Sequence, residues 1–221
     1  MSLKPVDWNV VIVGRWNASI LTPGRIAEKI FLIEPQEEES ILRLPIMVPL
    51  DGISPYQVRD PEENITVLLD LNRLIIRTNE PTYTSLKLAM QAGKNAIEWL
   101  PETPFNGAGF NIRYRTPEHP TQLTRITVNN QIDNSLSDLD FVIDSRTSTR
   151  SIKCLGYILN ITITDTSKGM EILCNFHCGS GKKEDLIQWL TTPVSEVEKI
   201  VSDILNSQEV EIMEVEHDDS E

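Results

Sequence analysis

No apolar run in this 221-residue chain approaches the ~18 residues that would cross a bilayer as a helix. The opening stretch, MSLKPVDWNV, has neither the unbroken apolar core nor the small-residue cleavage site of a secretory signal. Cysteine is scarce: Cys154, Cys174 and Cys178 are an odd set, which argues against a disulfide framework. Positive charge is also short, with 20 Lys and Arg against 33 Asp and Glu and a net charge of −13. Non-specific affinity for nucleic acid comes mainly from Lys and Arg neutralising phosphates. The expectation is therefore a cytoplasmic protein with no membrane and no nucleic-acid partner.

Apolar residues make up 40% of the chain, enough for a substantial core. The reading is one α+β domain over 1–206, followed by an acidic tail at 207–221. The last 13 residues hold seven acidic side chains and no Lys or Arg, so the rest of the chain carries only −6. Within the tail, EVEIMEV alternates acidic and apolar residues and so reads equally as an edge strand. The three N-x-S/T triplets, at Asn17, Asn64 and Asn160, sit in or beside strand patterns and read as chance.

Hydrophobic periodicity organises the body of the chain. Trp8, Val10, Ile12, Trp16, Ala18 and Ile20 share one parity, which predicts a long strand, or two strands bent at Gly14. TPGRIAEKIFL starts a short helix capped at Thr22. Prolines at 45, 49, 55 and 61 reduce the next segment to an edge strand and a loop. NITVLLDLNRLIIRTN predicts a hairpin pairing Ile65, Val67 and Leu69 near Leu74 and Ile76. Tyr83, Leu86, Met90, Gly93, Ile97 and Leu100 form one helical stripe, flanked by small residues Ala89, Gly93 and Ala96. NGAGFNIRYRT returns as a strand with Phe110, Ile112 and Tyr114 inward. Residues 116–140 suggest a strand at TRITVN and then a polar loop. A strand region at 141–154, a hairpin over 155–178 and helices at KKEDLIQWL and PVSEVEKIVSDIL complete the pattern.

The predicted fold is α+β: a largely antiparallel sheet built from hairpins, covered on one face by about three helices. A hairpin feeding a helix occurs twice, which suggests two pseudo-repeated halves, 1–115 and 116–206. The succession NRLIIRTNEPTYTSLKLAMQAGKNAIEWL, GAGFNIRYR and FHCGSGKKEDLIQWL, over about residues 60–205, resembles a sporadically distributed bacterial family of uncharacterised proteins. Members of that family place a strand and helix before a GxRY-like strand and end in a strand and helix. The element here, Gly109 to Tyr114, has two extra residues. The resemblance implies no activity, cofactor or catalytic residue.

Three readings compete for CNFHCGSGKKEDL. Zinc needs about four N/S ligands, and here Cys174, His177 and Cys178 have no second cluster. Strand parity also turns His177 away from the two cysteines and leaves their positions about 13 Å apart. A phosphate loop would need Gly where Phe176 stands and Ser or Thr where Lys183 stands. What remains is a strand-to-helix turn, with Ser180, Gly181 and Lys182 as a candidate anion site. A nucleophile elbow fails because Cys178 takes the place of its first Gly. A dinucleotide fingerprint fails at Ile112, and Asp133, Asp138, Asp140 and Asp144 lack calcium-loop spacing. Arg73, Arg77, Arg113 and Arg115 form a second candidate, a basic strand face able to hold an anion or acidic groups such as the tail.

No catalytic, metal or cofactor motif survives, so a non-catalytic cytoplasmic binding or accessory protein is expected, acting through a protein partner or self-association. The alternative is a divergent enzyme or small-anion binder with its site at His177–Lys182. An acidic mimic acting through the tail is a further possibility.

Overall fold

Alternation of apolar and polar residues sorts each strand into a face that seeks cover and a face that does not. The computed structural model describes residues 2–33, 46–47, 57–62, 64–70, 72–154, 156–207 and 211–212. Along the chain run β1 (Ser2–Pro5), β2 (Asn9–Gly14), α1 (Pro23–Lys29), β3 (Ile46–Met47), β4 (Gln57–Arg59), β5 (Ile65–Asp70), β6 (Arg73–Thr78) and α2 (Tyr83–Trp99). Then come β7 (Phe105–Thr116), α3 (Thr121–Thr127), α4 (Asn130–Ser137), β8 (Ser145–Cys154), β9 (Tyr157–Thr166), β10 (Gly169–Cys178), α5 (Lys183–Leu190), α6 (Val194–Asn206) and β11 (Glu211–Ile212).

Nine strands form one antiparallel path in the order β3-β4-β5-β6-β2-β7-β10-β9-β8. The order reads alike outward from the β2–β7 seam. On one side β2 is followed by β6, β5 and β4; on the other, β7 is followed by β10, β9 and β8. Helices fall in step, with α1 after β2 and α3 after β7, then α2 after β6 and α5 after β10.

β1 and β2 both run antiparallel to β7, joined by a bulge. Lys4 and Pro5 pair with Arg115 and Tyr114, but Asn9 pairs with Asn111, so three residues oppose two. Asp7 absorbs the extra residue at φ +52°, where an Asp is tolerated better than a β-branched residue. The Arg113 carbonyl accepts from the Val6 N–H (2.8 Å) and the Trp8 indole (3.1 Å). The bulge reverses parity, so Leu3 and Trp8 are both fully buried on the same side.

The helices cover the face that carries Val10, Ile12, Leu74, Ile76, Phe110 and Ile112, all fully buried. Gly93 lets α2 approach: a Cβ there would stand 3.3 Å from both Ile12 of β2 and Leu190 of α5. Thr82 caps α2 by accepting from the Ser85 N–H. Trp189 of α5 stacks on Phe110, which stacks in turn on Phe176 (centroids 5.2 and 4.8 Å). At the opposite end Trp8 meets Tyr83 and Tyr114 edge-on.

The 65–78 hairpin forms in the expected register, with Val67 opposite Ile76 and Leu69 opposite Leu74. Three expectations are corrected. The first strand stops at Gly14, where its register to β7 shifts, and Asn17–Leu21 forms turns instead. Trp16 is still buried, against Phe105, by way of a loop. TRITVN is not a strand: α3 buries Leu123 and Thr127 at helical spacing. Much of the polar loop after it is α4, capped by the Asn129 side chain on the Ile132 N–H. In TRITVN β-branched residues imitated alternation, and in the polar stretch few apolar residues marked a helix, while Pro120 and Asn129 supplied the two helix starts. The polar stretch 34–40 and most of the proline-rich segment lie outside the described residues, as does the tail beyond 212.

Gly109 and Gly24 give opposite predictions. A Cβ on Gly109 would collide with the Phe176 carbonyl of β10, whereas one on Gly24 in α1 meets nothing within 4 Å. In urea unfolding, Gly109→Ala is expected to cost about 2 kcal/mol or more, and Gly24→Ala to be neutral or stabilising by up to about 1 kcal/mol.

Candidate functional site

The sheet face away from the helices is the largest feature the core does not absorb. Its middle row follows from register alone: Arg77, Asn9, Asn111, Asn175, Asn160 and Ser151 stand opposite one another on β6, β2, β7, β10, β9 and β8. Their side chains join. Asn111 donates to Asn9 (2.8 Å), Asn175 to Asn111 (2.7 Å), Asn160 to Asn175 (3.1 Å) and Ser151 to Asn160 (2.6 Å). An amide ladder therefore crosses five strands: Asn111, Asn175 and Asn160 each donate to one neighbour and accept from the other, while Asn9 ends the row as an acceptor. Asparagine is depleted in strands. Four of them at the polar parity of four strands were the available sign, and only the register shows that they align.

An apolar row runs beside it: Ile75, Val11, Gly109, His177 and Ile158. Gly107 and Gly109 bring β7 close to β10, and a Cβ on Gly107 would stand 2.8 Å from the Cys178 carbonyl. The His177 ring fills that space, with its Cε1 3.0 Å from the same point. His177 thus belongs to the open face, while Cys174 and Cys178 face the core, as parity predicts. Among the described residues no group of three His, Cys, Asp or Glu could hold a metal ion.

The four arginines of the predicted basic face do share a side, but β2 lies between their strands. Asp7, in the bulge, bridges the gap: its carboxylate is 3.3 Å from Arg77 Nε and 3.3 Å from Arg113 Nη1. Glu171 of β10 lies 2.8 Å from Arg115 and 3.3 Å from Arg113. Arg73 stands further along β6, opposite Val13 and Asp70. Acidic partners for these arginines thus come from the sheet itself. Glu211 and Ile212, the described part of the tail, pair in parallel with Ser2 and Leu3.

At the strand-to-helix turn the Ser180 hydroxyl donates to Asp185 (2.7 Å) and accepts from the Lys182 N–H (3.1 Å). Glu184 and Asp185 already place negative charge in the first turn of α5. His177, on the open face, is not joined to Ser180 or Lys182 by any hydrogen bond among the described residues. Sequence reasoning passed over one further pair, His119 and Asp165, whose ring nitrogen and carboxylate are 2.9 Å apart across 46 residues. Asp165 falls on the apolar parity of β9, the one sign of it in the sequence.

Burial alone pushes the Cys174 thiol up to about 12. Burial likewise raises Tyr83 to about 12 and Tyr114 further, and their hydroxyls lie 3.3 Å apart. Burial, and then the charge of Asp185, raises Cys178.

Comparison with known proteins adds little. No family model matches the chain, and no curated protein matches it. Among solved structures, Methanococcus jannaschii TBP aligns over 94% of this chain and 97% of its own at 10% identity, with a TM-score of 0.26. A likeness at that level carries no argument about fold or function. Among the described residues no helix is long and apolar enough to cross a membrane.

Two outcomes follow from this geometry. Asn111→Ala is expected to cost about 1 kcal/mol, with a coupling of about 0.5–1 kcal/mol to Asn175→Ala in a double-mutant cycle. Cys174 contributes to alkaline destabilisation alongside the buried Tyr83 and Tyr114: once unfolded the thiol ionises near its ordinary 9, but folded it keeps its proton to about 12. Stability should be unaffected below that window and fall through it by up to about 1.4 kcal/mol per pH unit. Cys174→Ala should flatten that slope in unfolding measured against pH.

Proposed function

We propose that this chain is a non-catalytic binding protein of the cytoplasm. Its recognition surface is the open face of the sheet, and its partner is a protein that presents an acidic segment. One observation carries the reading. Among the described residues of this chain of net charge −13, the uncovered face holds Lys4, Arg59, Arg73, Arg77, Arg113, Arg115 and Lys153 against Asp7, Asp70 and Glu171, with Glu211 paired to Ser2 at its edge. Among the described residues, these basic side chains gather on the sheet face that the helices leave bare. Complementary charge of this kind steers association and selects partners more than it adds affinity.

The chemistry of the face favours a protein over a nucleic acid. Sheets that take single strands stack bases on aromatic rings, and none of the paired open-face positions named above is Phe, Tyr or Trp. The amide ladder offers peptide-like donors and acceptors at fixed spacing instead. Its groups already bond to one another, so a partner meets a pre-ordered row and pays little ordering entropy. The ring of His177 and the apolar Ile75, Val11 and Ile158 supply contact area beside it.

A 12-residue Glu/Asp-rich peptide, titrated into nitrogen-15-labelled protein, provides the test. The side-chain amide signals of Asn9, Asn111, Asn160 and Asn175 should move, and affinity should fall as salt rises. Reversing Arg73 and Arg77 together to Glu should weaken binding about tenfold or more. Shifts confined to the helical side, or unchanged affinity after the reversal, would sink the reading.

A further inference from the structure

The apolar parity of β9 is broken once. Leu159 and Ile163 are buried toward the helices, Ile161 is partly buried with them, and the next residue on that side is Asp165, only 6% exposed. A buried carboxylate requires a partner. Asp165 has one in His119 Nδ1, 2.9 Å away, on the Pro117–Pro120 turn that leads from β7 into α3. Donation from Nδ1–H leaves Nε2 as the uncommitted nitrogen of a ring held in one orientation.

That ring does not close over. The His119 side chain is 47% exposed. It lines a cleft of about 370 Å³ together with Thr121, Thr124, Arg125, Val128 and Asn130. The volume is at the small end of the range for ligand sites. Arg125, one turn along α3 from Thr121, has no hydrogen-bond or ion-pair partner among the described residues. The walls are fixed independently of any ligand. α3 is anchored by buried Leu123, and α4 is tied to β8 by Asp133 and Arg146 at 2.8 Å.

We propose that this cleft binds the phosphate group of a small phosphomonoester. The Arg125 guanidinium and the Thr121 hydroxyl donate, and Nε2, an acceptor in the Nδ1–H tautomer, takes a hydrogen bond from the P–O–H of a phosphate monoanion, a donor that a carboxylate lacks. Val128 and the threonine methyl groups give the organic remainder an apolar wall. Asp165 acts through His119 as a positioning residue. The cleft lies on the helical side of the sheet, so this assignment and the open-face reading fail or stand separately.

The full chain should be titrated with phenyl phosphate, inorganic phosphate and benzoate, followed by NMR of the His119 ring and by calorimetry. Phenyl phosphate should move the His119 signals. Arg125→Gln, a change at an exposed position that should leave the circular dichroism unaltered, should weaken it about tenfold or more. Inorganic phosphate should compete for the same site, and benzoate should bind at least about tenfold more weakly. In Asp165→Asn the ring nitrogen-15 shifts should report loss of the single Nδ1–H tautomer, a readout that a merely structural role would not move. Signals unmoved at about 20 mM phenyl phosphate, equal affinity in Arg125→Gln, or benzoate binding as tightly would each overturn the proposal.

Discussion

Everything in this fold hangs on the close approach of β7 to its neighbours. β7 is the longest strand, at 12 residues, and it pairs with β2 and β1 on one side and with β10 along the other. Gly107 and Gly109 are required because a side-chain carbon at either would enter the β10 backbone. On the helical face the same strand supplies Phe110, wedged between Phe176 and Trp189, so α5 is positioned by it too. On the open face it supplies Asn111, the residue through which the amide ladder crosses the seam. A distortion of β7 would therefore reach the core, the helical layer and the proposed recognition face together.

The bulge at Asp7 solves a problem that the seam creates. β7 extends beyond β2, and a straight continuation into β1 would keep even-numbered residues inward, leaving Leu3 in water. One extra residue restores it to the core. The residue that pays for the bulge in backbone conformation also carries the carboxylate that bridges Arg77 and Arg113 across β2. The backbone irregularity and the electrostatic link are thus one feature, and replacing Asp7 by Gly would separate them by keeping the conformation and deleting the charge.

Legibility in the sequence followed the length of the periodic pattern. α2, with its uninterrupted stripe, the 65–78 hairpin and the outward turn of His177 from the cysteines could all be read, because each rests on several residues in one unbroken period. TRITVN could not. A seven-residue helix with β-branched Ile126, Thr127 and Val128 near its end has too few turns to show a 3.6-residue period, and alternation fits it as well. Trp16 misled in a different way: its burial is real, but a loop delivers it, and parity is meaningful only inside a strand. The candidate sites were least legible. The ladder needs the alignment of five strands separated by up to 166 residues of sequence, and the His119–Asp165 contact joins a turn to a strand end. Neither leaves a local motif. Each leaves only residues of the wrong type for their place, asparagines in strands and an aspartate on an apolar parity.

The strand order reads alike outward from the β2–β7 seam, yet the two sides of the seam carry different chemistry. Corresponding positions on the two sides are held by α1 after β2 and by α3 with α4 after β7. Beside α1, a cleft of about 300 Å³ is lined by Ile30, Phe31, Leu32 and Ile65 with Asn95, whose amide is committed to the Ile30 carbonyl. Beside α3, the cleft is lined by hydroxyls, an imidazole and an arginine. The first cleft also presents Asp60, Glu62, Asn64 and Gln91, so it carries carboxylates where the second carries an arginine and an imidazole. The open face, by contrast, spans the seam: the amide row begins on β2 and continues through β7, β10 and β9. A surface drawn from strands on both sides of the seam constrains their relative register, whereas a cleft on one side places no such constraint on the other.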